Sequence, residues 1–533
     1  MTGTETWLRG GTIVDGTGAA PRIGDVAIRG DRISRVTPPG VVPAHPSDEI
    51  DCIGLTVTPG FVDIHTHSDL SFVHHPSAPS KVMQGVTTEV VGNCGFSPFP
   101  AHPHRREALI GFLRGIGVPR TNIPWSDFAG YADVVDAYRP VMNVAPLAGH
   151  GALRIAATGT DDVTVDGDIL RTMERLLREC LDQGAFGLST GLSYVPSQFA
   201  GPDEINALAR VVRDHDALYA THARATPDPF DSFDEAIGVG KATGVRVQYS
   251  HLALNDPRMW GRADDVVAHF QHAADAGIDV RYDVYPYDAS ASSLTQYLPA
   301  WVQAGGEDGI RRQLADRTGF ARARDDLAKG LYGTIPWDWE RVVVSLAGPD
   351  DEALEGRSIA HGAERYGMTP EELCLRLAMR YGNRAQVVLF YRAEADVAAF
   401  LAHPLAIVGS DGTAMPVTAP GRPHPRSFGS HARLLHRYVA DEGRLTLADA
   451  VHKSTLAPAQ RIGITDRGVL TEGARADIAV LDATAVRDTA TWTDPCQLAS
   501  GVRDVWVNGE HTIASGTPTG HRAGHVLRRA SRP

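Results

Sequence analysis

Gly60-Phe61-Val62-Asp63-Ile64-His65-Thr66-His67-Ser68-Asp69 is the stretch on which the reading of this chain turns. An apolar run of strand character ends in two histidines one residue apart. In a strand, residues i and i+2 face the same way. At a strand's end, His65 and His67 therefore direct two imidazoles at one point. Two neutral ring nitrogens so placed suit a metal ion. The plainer reading is two solvent-facing polar residues after a strand.

Working outward, short apolar strands alternate with helix-period segments from Gly60 onward. Candidate strands are 61–64, 87–91, 141–147, 186–189, 218–221, 246–250, 279–284 and 405–409. Between them lie amphipathic stretches. One, 168–184, carries Ile169, Met173, Leu176, Leu177, Cys180 and Leu181 on one face and closes at Gly184. Eight strands with such crossovers predict an α/β fold, a (β/α)8 TIM-type barrel. The interval 285–404 is too long for one βα unit. It holds a Gly-, Pro- and Trp-rich piece from Gly330 to Trp339 and a helix at 370–381, so an insertion between strands seven and eight is expected at about 286–350. Leaving from the C-terminal rim of a barrel, it is either a lid over the active site or decoration.

The flanks read differently. Before Gly60 come short β-elements, Thr6-Trp7-Leu8, Thr12-Ile13-Val14, Val26-Ala27-Ile28, Ile33-Ser34-Arg35-Val36 and Leu55-Thr56-Val57-Thr58, punctuated by Gly and Asp. The same texture returns at 476–481, 504–509 and 512–513, with a hairpin around Asn508-Gly509. A small β-sandwich built from both chain termini is expected, giving domains 1–59, 60–458 and 459–533. The basic end, 521–533, is expected to be loosely ordered.

The length suits one large domain and a smaller one. A net charge of −13 argues against nucleic acid as a partner. The five cysteines, Cys52, Cys94, Cys180, Cys374 and Cys496, are sparse and form no CxxC pair. That argues against a disulfide framework and points to a reducing, cytoplasmic setting. No basic-then-apolar leader and no apolar run of about eighteen residues is present, so neither a signal peptide nor a membrane span is expected.

Polar residues recur at the C-terminal ends of the candidate strands. His65 and His67 follow the first. Cys94, in Gly92-Asn93-Cys94-Gly95, follows the second; His222 the fifth; His251 the sixth; Asp411, in Gly409-Ser410-Asp411-Gly412, the eighth. Singly, each has an ordinary explanation: a buried thiol, a packed imidazole, a helix cap. Six such placements on the rim where barrel enzymes gather their catalytic groups point to a metal site. Histidine, cysteine and carboxylate together favour Zn2+, with Cys94 bound as thiolate.

These motifs, with Gly149-His150-Gly151-Ala152-Leu153-Arg154, Gly187-Leu188-Ser189-Thr190-Gly191-Leu192-Ser193-Tyr194 and His424-Pro425-Arg426, resemble the amidohydrolase superfamily. Within it the chain resembles the N-acyl-D-amino-acid deacylases, or D-aminoacylases, over nearly its whole length. Other branches of the superfamily place a lysine after strand four; this chain has none there.

The resemblance implies a tight zinc held by Cys94, His222 and His251. It implies a second, weaker site at His65 and His67, which would share Cys94. Asp411 becomes the general base and acid. Tyr194 and Arg426 match substrate-binding positions, with Tyr285 and Ser292 as further candidates. The implied reaction is zinc-dependent cleavage of N-acyl-D-amino acids to a carboxylate and a free D-amino acid. The partner is then a small molecule, and the protein a monomer or homo-oligomer.

One position departs from the resemblance: Ala253 stands where it leads to a lysine that helps bind the substrate carboxylate. Either Arg258 or Arg426 compensates, or the substrate is another amide: a carboxylate-free amide, a dipeptide or an acylated natural product. A lyase or isomerase step on the same metal scaffold is the further alternative.

Overall fold

The computed structural model describes residues 5–41, 47–117 and 121–530. Its centre is a set of parallel strands. Phe61–Asp63, Val86–Val91 and Asn143–Pro146 pair in that order. Just beyond, Ala148–Gly149 pairs with Gly187–Gly191, and the pairing continues through Leu218–His222, Arg246–Tyr249 and Val280–Val284 to Ala406–Val408. A parallel bridge between Thr66 and Gly412 joins the extension of the first strand to that of the last. The strands lie within a couple of residues of their expected positions.

Alternation along the strands sorts their side chains into two layers. Val62, Ile64, Val90, Ala145, Leu147, Ala220 and Ile407 pack in one cluster. Their neighbours Val91, Val144, Tyr219, Ala406 and Val408 pack in another, with the helices. Period-two patterning produces this division, and each buried Val, Leu or Ile contributes roughly 1.5–3 kcal/mol. The helix Gly167–Asp182 shows the complementary period: Met173, Leu177, Cys180 and Leu181 are buried, and the Asp166 side chain caps its first turn through the Asp168 and Ile169 N–H groups.

The first cluster also takes in Ala457, Ala459 and Ile462 of the helix Leu456–Ile462, and Leu527. Arg461 of that helix donates to the Asp279 carbonyl at 3.2 Å, beside the start of the seventh strand. Apolar groups thus fill the space at the N-terminal ends of the strands, leaving the C-terminal ends to polar residues.

The chain's end departs from expectation. Residues 524–529 are fastened by backbone. Val144 N–H donates to His525 O at 3.0 Å and Leu527 N–H to Val144 O at 2.7 Å, while Val526 and Leu527 are buried. The basic composition suggested a solvated tail, but the apolar pair within it has a strand to rest on. Residues 531–533 lie outside the described residues.

Strands from both ends of the chain join one nine-stranded sheet, in which Thr56–Pro59 pairs antiparallel with Ile478–Leu481. The pieces expected at Thr6–Leu8 and Thr12–Val14 are one strand, Glu5–Ile13, whose register shifts between Leu8 and Gly11. Its first half pairs with Ser47–Asp51 and its second with Thr56–Pro59. The hairpin lies where Asn508 and Gly509 both take positive φ, +49° and +80°.

Between the seventh and eighth parallel strands, Ser290–Ser293, Gln386–Leu389 and Val342–Leu346 form a separate antiparallel sheet. Helices Gly306–Ala315, Arg317–Leu327 and Pro370–Tyr381 pack around it on a core of their own, with Leu314, Leu327, Leu373 and Leu377. The inserted segment therefore runs past residue 350, because Gln386–Leu389 supplies its central strand. Among the described residues no helix is long and apolar enough to cross a membrane.

Candidate metal centre and cavity

Specific contacts fix the strand ends that carry the candidate ligands. Asp63 closes the first strand. Its carboxylate accepts from the Ser410 N–H at 2.8 Å and from Lys81 Nζ at 2.9 Å. The Asp411 N–H then donates to His65 O, and the His67 N–H to Gly412 O, both at 2.8 Å. First and last strands so bring His65, His67 and Asp411 together.

Cys94 arrives through Gly92 at φ +79°, where a side chain would stand 2.1 Å from the Leu147 carbonyl oxygen. A side chain at Gly191 would meet Cys94 O at 2.0 Å. Only glycine lets these backbones approach so closely. In the Gly149–Arg154 motif the conspicuous side chains serve the scaffold, since His150 and Arg154 hold Glu204 at 2.8 and 2.7 Å.

The six residues converge. Cys94 Sγ lies 3.3 Å from His65 Nε2 and 3.5 Å from His251 Nε2. His222 Nδ1 is 2.9 Å from His251 Nε2. Asp411 Oδ1 is 3.0 Å from His67 Nε2 and 3.3 Å from His65 Nε2. Two donor groups result, His65–His67–Cys94–Asp411 and Cys94–His222–His251, the atoms of each within 4.8 Å of one another and Cys94 common to both. Ligands about 2.0–2.3 Å from a tetrahedral zinc stand roughly 3.3–3.6 Å apart, so the thiol spacings fit such an ion. Cys94, His251 and Asp411 also take φ of +55°, +42° and +50°. That backbone region is costly for residues other than glycine and collects at functional sites.

Electrostatics prepare the donors. Burial holds the His222 and His251 imidazoles well below their usual range, so both are neutral with lone pairs available. Burial pushes the Cys94 thiol up to about 11, and a bound cation would have to displace its proton. Burial would raise Asp411 too, but Arg426 first, then the neighbouring histidines, keep its carboxyl well below the ordinary range. At His65 burial pulls down while Asp283, Cys94 and Asp411 pull up harder. A positive charge is favoured at this point.

Asp283 is a residue the sequence reading missed. Its Oδ1 accepts from the His251 N–H at 2.8 Å and lies 3.0 Å from His65 Nδ1. A proton on Nδ1 leaves Nε2 as the donor that faces Cys94 and Asp411, the usual way a carboxylate orients a ligating histidine. Its only sequence signal was a charge inside the apolar run Val280-Arg281-Tyr282-Asp283-Val284.

A cavity of about 120 Å³ opens over the cluster, lined by His222, His251 and Asp411 together with Tyr194, Tyr285 and Ser292. Tyr194 Oη is 3.4 Å from His222 Nδ1. The inserted segment forms one wall through Ser290, Gln296, Tyr297, Tyr332 and Ile335. Arg426 stands behind Asp411. Its Nη1 donates to Asp411 Oδ2 at 2.7 Å and its Nη2 to Ala291 O at 3.2 Å. Arg258 is elsewhere: paired with Asp256 at 2.6 Å and 60% exposed, it does not line the cavity. Ala253 does line it, and so does Arg392, which the sequence reading did not single out.

Residues 48–513 match the amidohydrolase family. The chain is 36% identical over 525 residues to the N-acyl-D-glutamate deacylase of Alcaligenes xylosoxydans xylosoxydans, across 98% of this chain and 96% of the relative. It is 34% identical over 523 residues to the N-acyl-D-aspartate deacylase of the same organism, across 98% and 94%. Among solved structures, the N-acyl-D-glutamate deacylase from Bordetella bronchiseptica, complexed with zinc and a phosphonate mimic of the tetrahedral intermediate, matches with a TM-score of 0.83. The identity is 33%, over 99% of this chain and 100% of that one. With the parallel strands and the convergent rim residues all inside the matched span, the chain belongs to the amidohydrolase family, among its N-acyl-D-amino-acid deacylases.

Proposed function

We propose that this protein is a zinc-dependent amidohydrolase that cleaves the amide bond of N-acyl-D-amino acids, releasing a carboxylate and a free D-amino acid. The observation that carries the reading is the convergence of one thiol and four imidazoles in two donor groups that share Cys94, beside the ionised carboxylate of Asp411. Cys94, His222 and His251 would hold a tight zinc, and His65 and His67, sharing Cys94, a weaker second. When bound, zinc supplies Lewis-acid activation of water and of the amide carbonyl.

The chain's own residues do the rest. Asp411 accepts the proton of the attacking water and returns it to the departing nitrogen, which leaves poorly as an anion. Arg426 keeps Asp411 ionised and pointed through the 2.7 Å ion pair. Burial raises the Tyr194 phenol well above its usual range, so it keeps its proton and can donate to the oxyanion. Tyr285 and Ser292 position the substrate from the cavity wall.

The same reading takes the circuit of parallel strands, residues 60–458, as a closed (β/α)8 barrel, with 1–59 and 459–533 forming a companion β-domain. The sequential order of the parallel pairings, interrupted only at Leu147, and the Thr66–Gly412 bridge support it. Five unpaired cysteines favour a reducing cytoplasm.

The test is amine release from matched D- and L-series N-acyl amino acids, with and without chelator, alongside elemental analysis. We expect amine and carboxylic acid in equal amounts from the D series, lost on chelation and restored by zinc. Turnover indifferent to chelator, or product without free amine, would overturn the reading.

A further inference from the structure

Among the described residues, one cavity arginine has no carboxylate partner. Arg224 pairs with Glu235 at 3.3 Å and donates to the carbonyls of Gln198 and Ala200. Arg426 is taken by Asp411. Arg392 is different. It follows the strand Gln386–Leu389 and is 8% exposed, and its Nε and Nη1 are buried without a hydrogen-bond partner. Among the described residues it forms no ion pair with a carboxylate. Its guanidinium lies 4.3 Å from the centroid of the Tyr285 ring, and that of Arg426 lies 4.9 Å from the same centroid. A ring face steadies a cation only modestly. It does not replace the hydrogen bonds a buried guanidinium gives up on leaving water.

We propose that Arg392 reads a carboxylate of the substrate, supplying the charge that Ala253 leaves out. The inference rests on the amide-hydrolase reading above and narrows its substrates to N-acyl amino acids whose carboxylate reaches the inserted segment's wall. A planar fork with unspent N–H groups is the group best matched to two carboxylate oxygens. The anion has two possible sources, the α-carboxylate or an acidic side chain. The chemistry is shared, and the arms of the experiment separate them.

Wild type, Arg392→Met and Arg392→Lys are compared on N-acetyl-D-glutamate, N-acetyl-D-glutamine, N-acetyl-D-alanine and N-acetyl-D-alaninamide, with zinc content measured for each variant. If the α-carboxylate is read, Arg392→Met raises KM on the order of 10–100-fold, as expected for a lost charged hydrogen-bond pair, for the three acids and spares the amide. If a side-chain carboxylate is read, the rise is confined to N-acetyl-D-glutamate. In either case kcat changes little, zinc content does not change, and lysine recovers part of the loss. Equal loss on all four substrates, or loss on none, overturns the proposal. Should wild type release no amine at all, the hydrolase reading fails, and calorimetric titration with N-acetyl-D-glutamate decides the matter for Arg392. Binding weakened about tenfold or more in Arg392→Met, equivalent to 1.4 kcal/mol, supports it. Unchanged binding, or none to wild type, sinks it.

Discussion

Lys81, Asp63, Glu89 and His431 form one buried polar cluster; Cys94, the four rim histidines and Asp411 form another. Asp63 and His65 are two residues apart, yet the clusters satisfy their charges in opposite ways. The first carries its own cation. Lys81 Nζ lies 2.9 Å from Asp63 and 3.3 Å from Glu89, with His431 Nε2 3.6 Å from Asp63. Burial works against ionised Asp63, but Lys81 above all outweighs it. The second cluster has no such centre among its own side chains. Ring nitrogens face one another, His222 Nδ1 and His251 Nε2 at 2.9 Å, and three of its residues hold unfavourable φ. A buried network that contains its own counter-ion is an anchor. One whose donor atoms gather into two groups around a shared thiol is a receptor.

The comparison can be broken at three places. The largest effect is expected at Asp411→Asn. General acid–base catalysis contributes about 10²–10⁴-fold, so kcat should fall by that much while zinc per chain holds. Near-normal turnover would remove Asp411 from the receptor's chemistry. Next comes Lys81→Met, which removes the cation that keeps buried Asp63 ionised. Breaking a buried pair in this way costs about 3–5 kcal/mol, read by denaturant unfolding. A loss under about 1 kcal/mol, the worth of a surface pair, would mean the cluster anchors nothing.

The smallest effect concerns Glu89. Burial raises its carboxyl from the usual 4.5 to about 7, more than Lys81 lowers it. The folded value lies above the unfolded one, so the stabilisation is full below 4.5 and is lost as pH rises through 7. In Glu89→Gln the fall in unfolding free energy across that window should flatten by up to about 1.4 kcal/mol per pH unit. Parallel curves for variant and wild type would assign the titration elsewhere.

The receptor was far more legible in the sequence than the anchor. His65, His67, Cys94, His222, His251 and Asp411 each stand just after an apolar run, and parallel strands deliver the residues at their C-terminal ends to one side of the sheet. Asp283 lies inside its strand and reads as an ordinary interruption. Lys81 lies in the four-residue helix Pro79–Val82, too short for a periodic signal. Arg392 reaches the cavity only because the inserted sheet folds back, a long-range fact with no local mark. The strand Ser47–Asp51, Ser-Asp-Glu-Ile-Asp, lacks alternation and exists through its partner Glu5–Arg9. The tail misled because charge describes solvation, whereas Val526 and Leu527 are held by backbone bonds to Val144.

The pairing of Thr56–Pro59 with Ile478–Leu481 has a consequence for how the molecule is made. Most of the polypeptide is translated between these two segments. At bacterial and eukaryotic synthesis rates of about 5–20 residues per second, the earlier segment waits roughly 20–80 s with one edge open. During that interval the nascent chain carries an unpaired β-edge, the kind of edge that templates pairing with another chain.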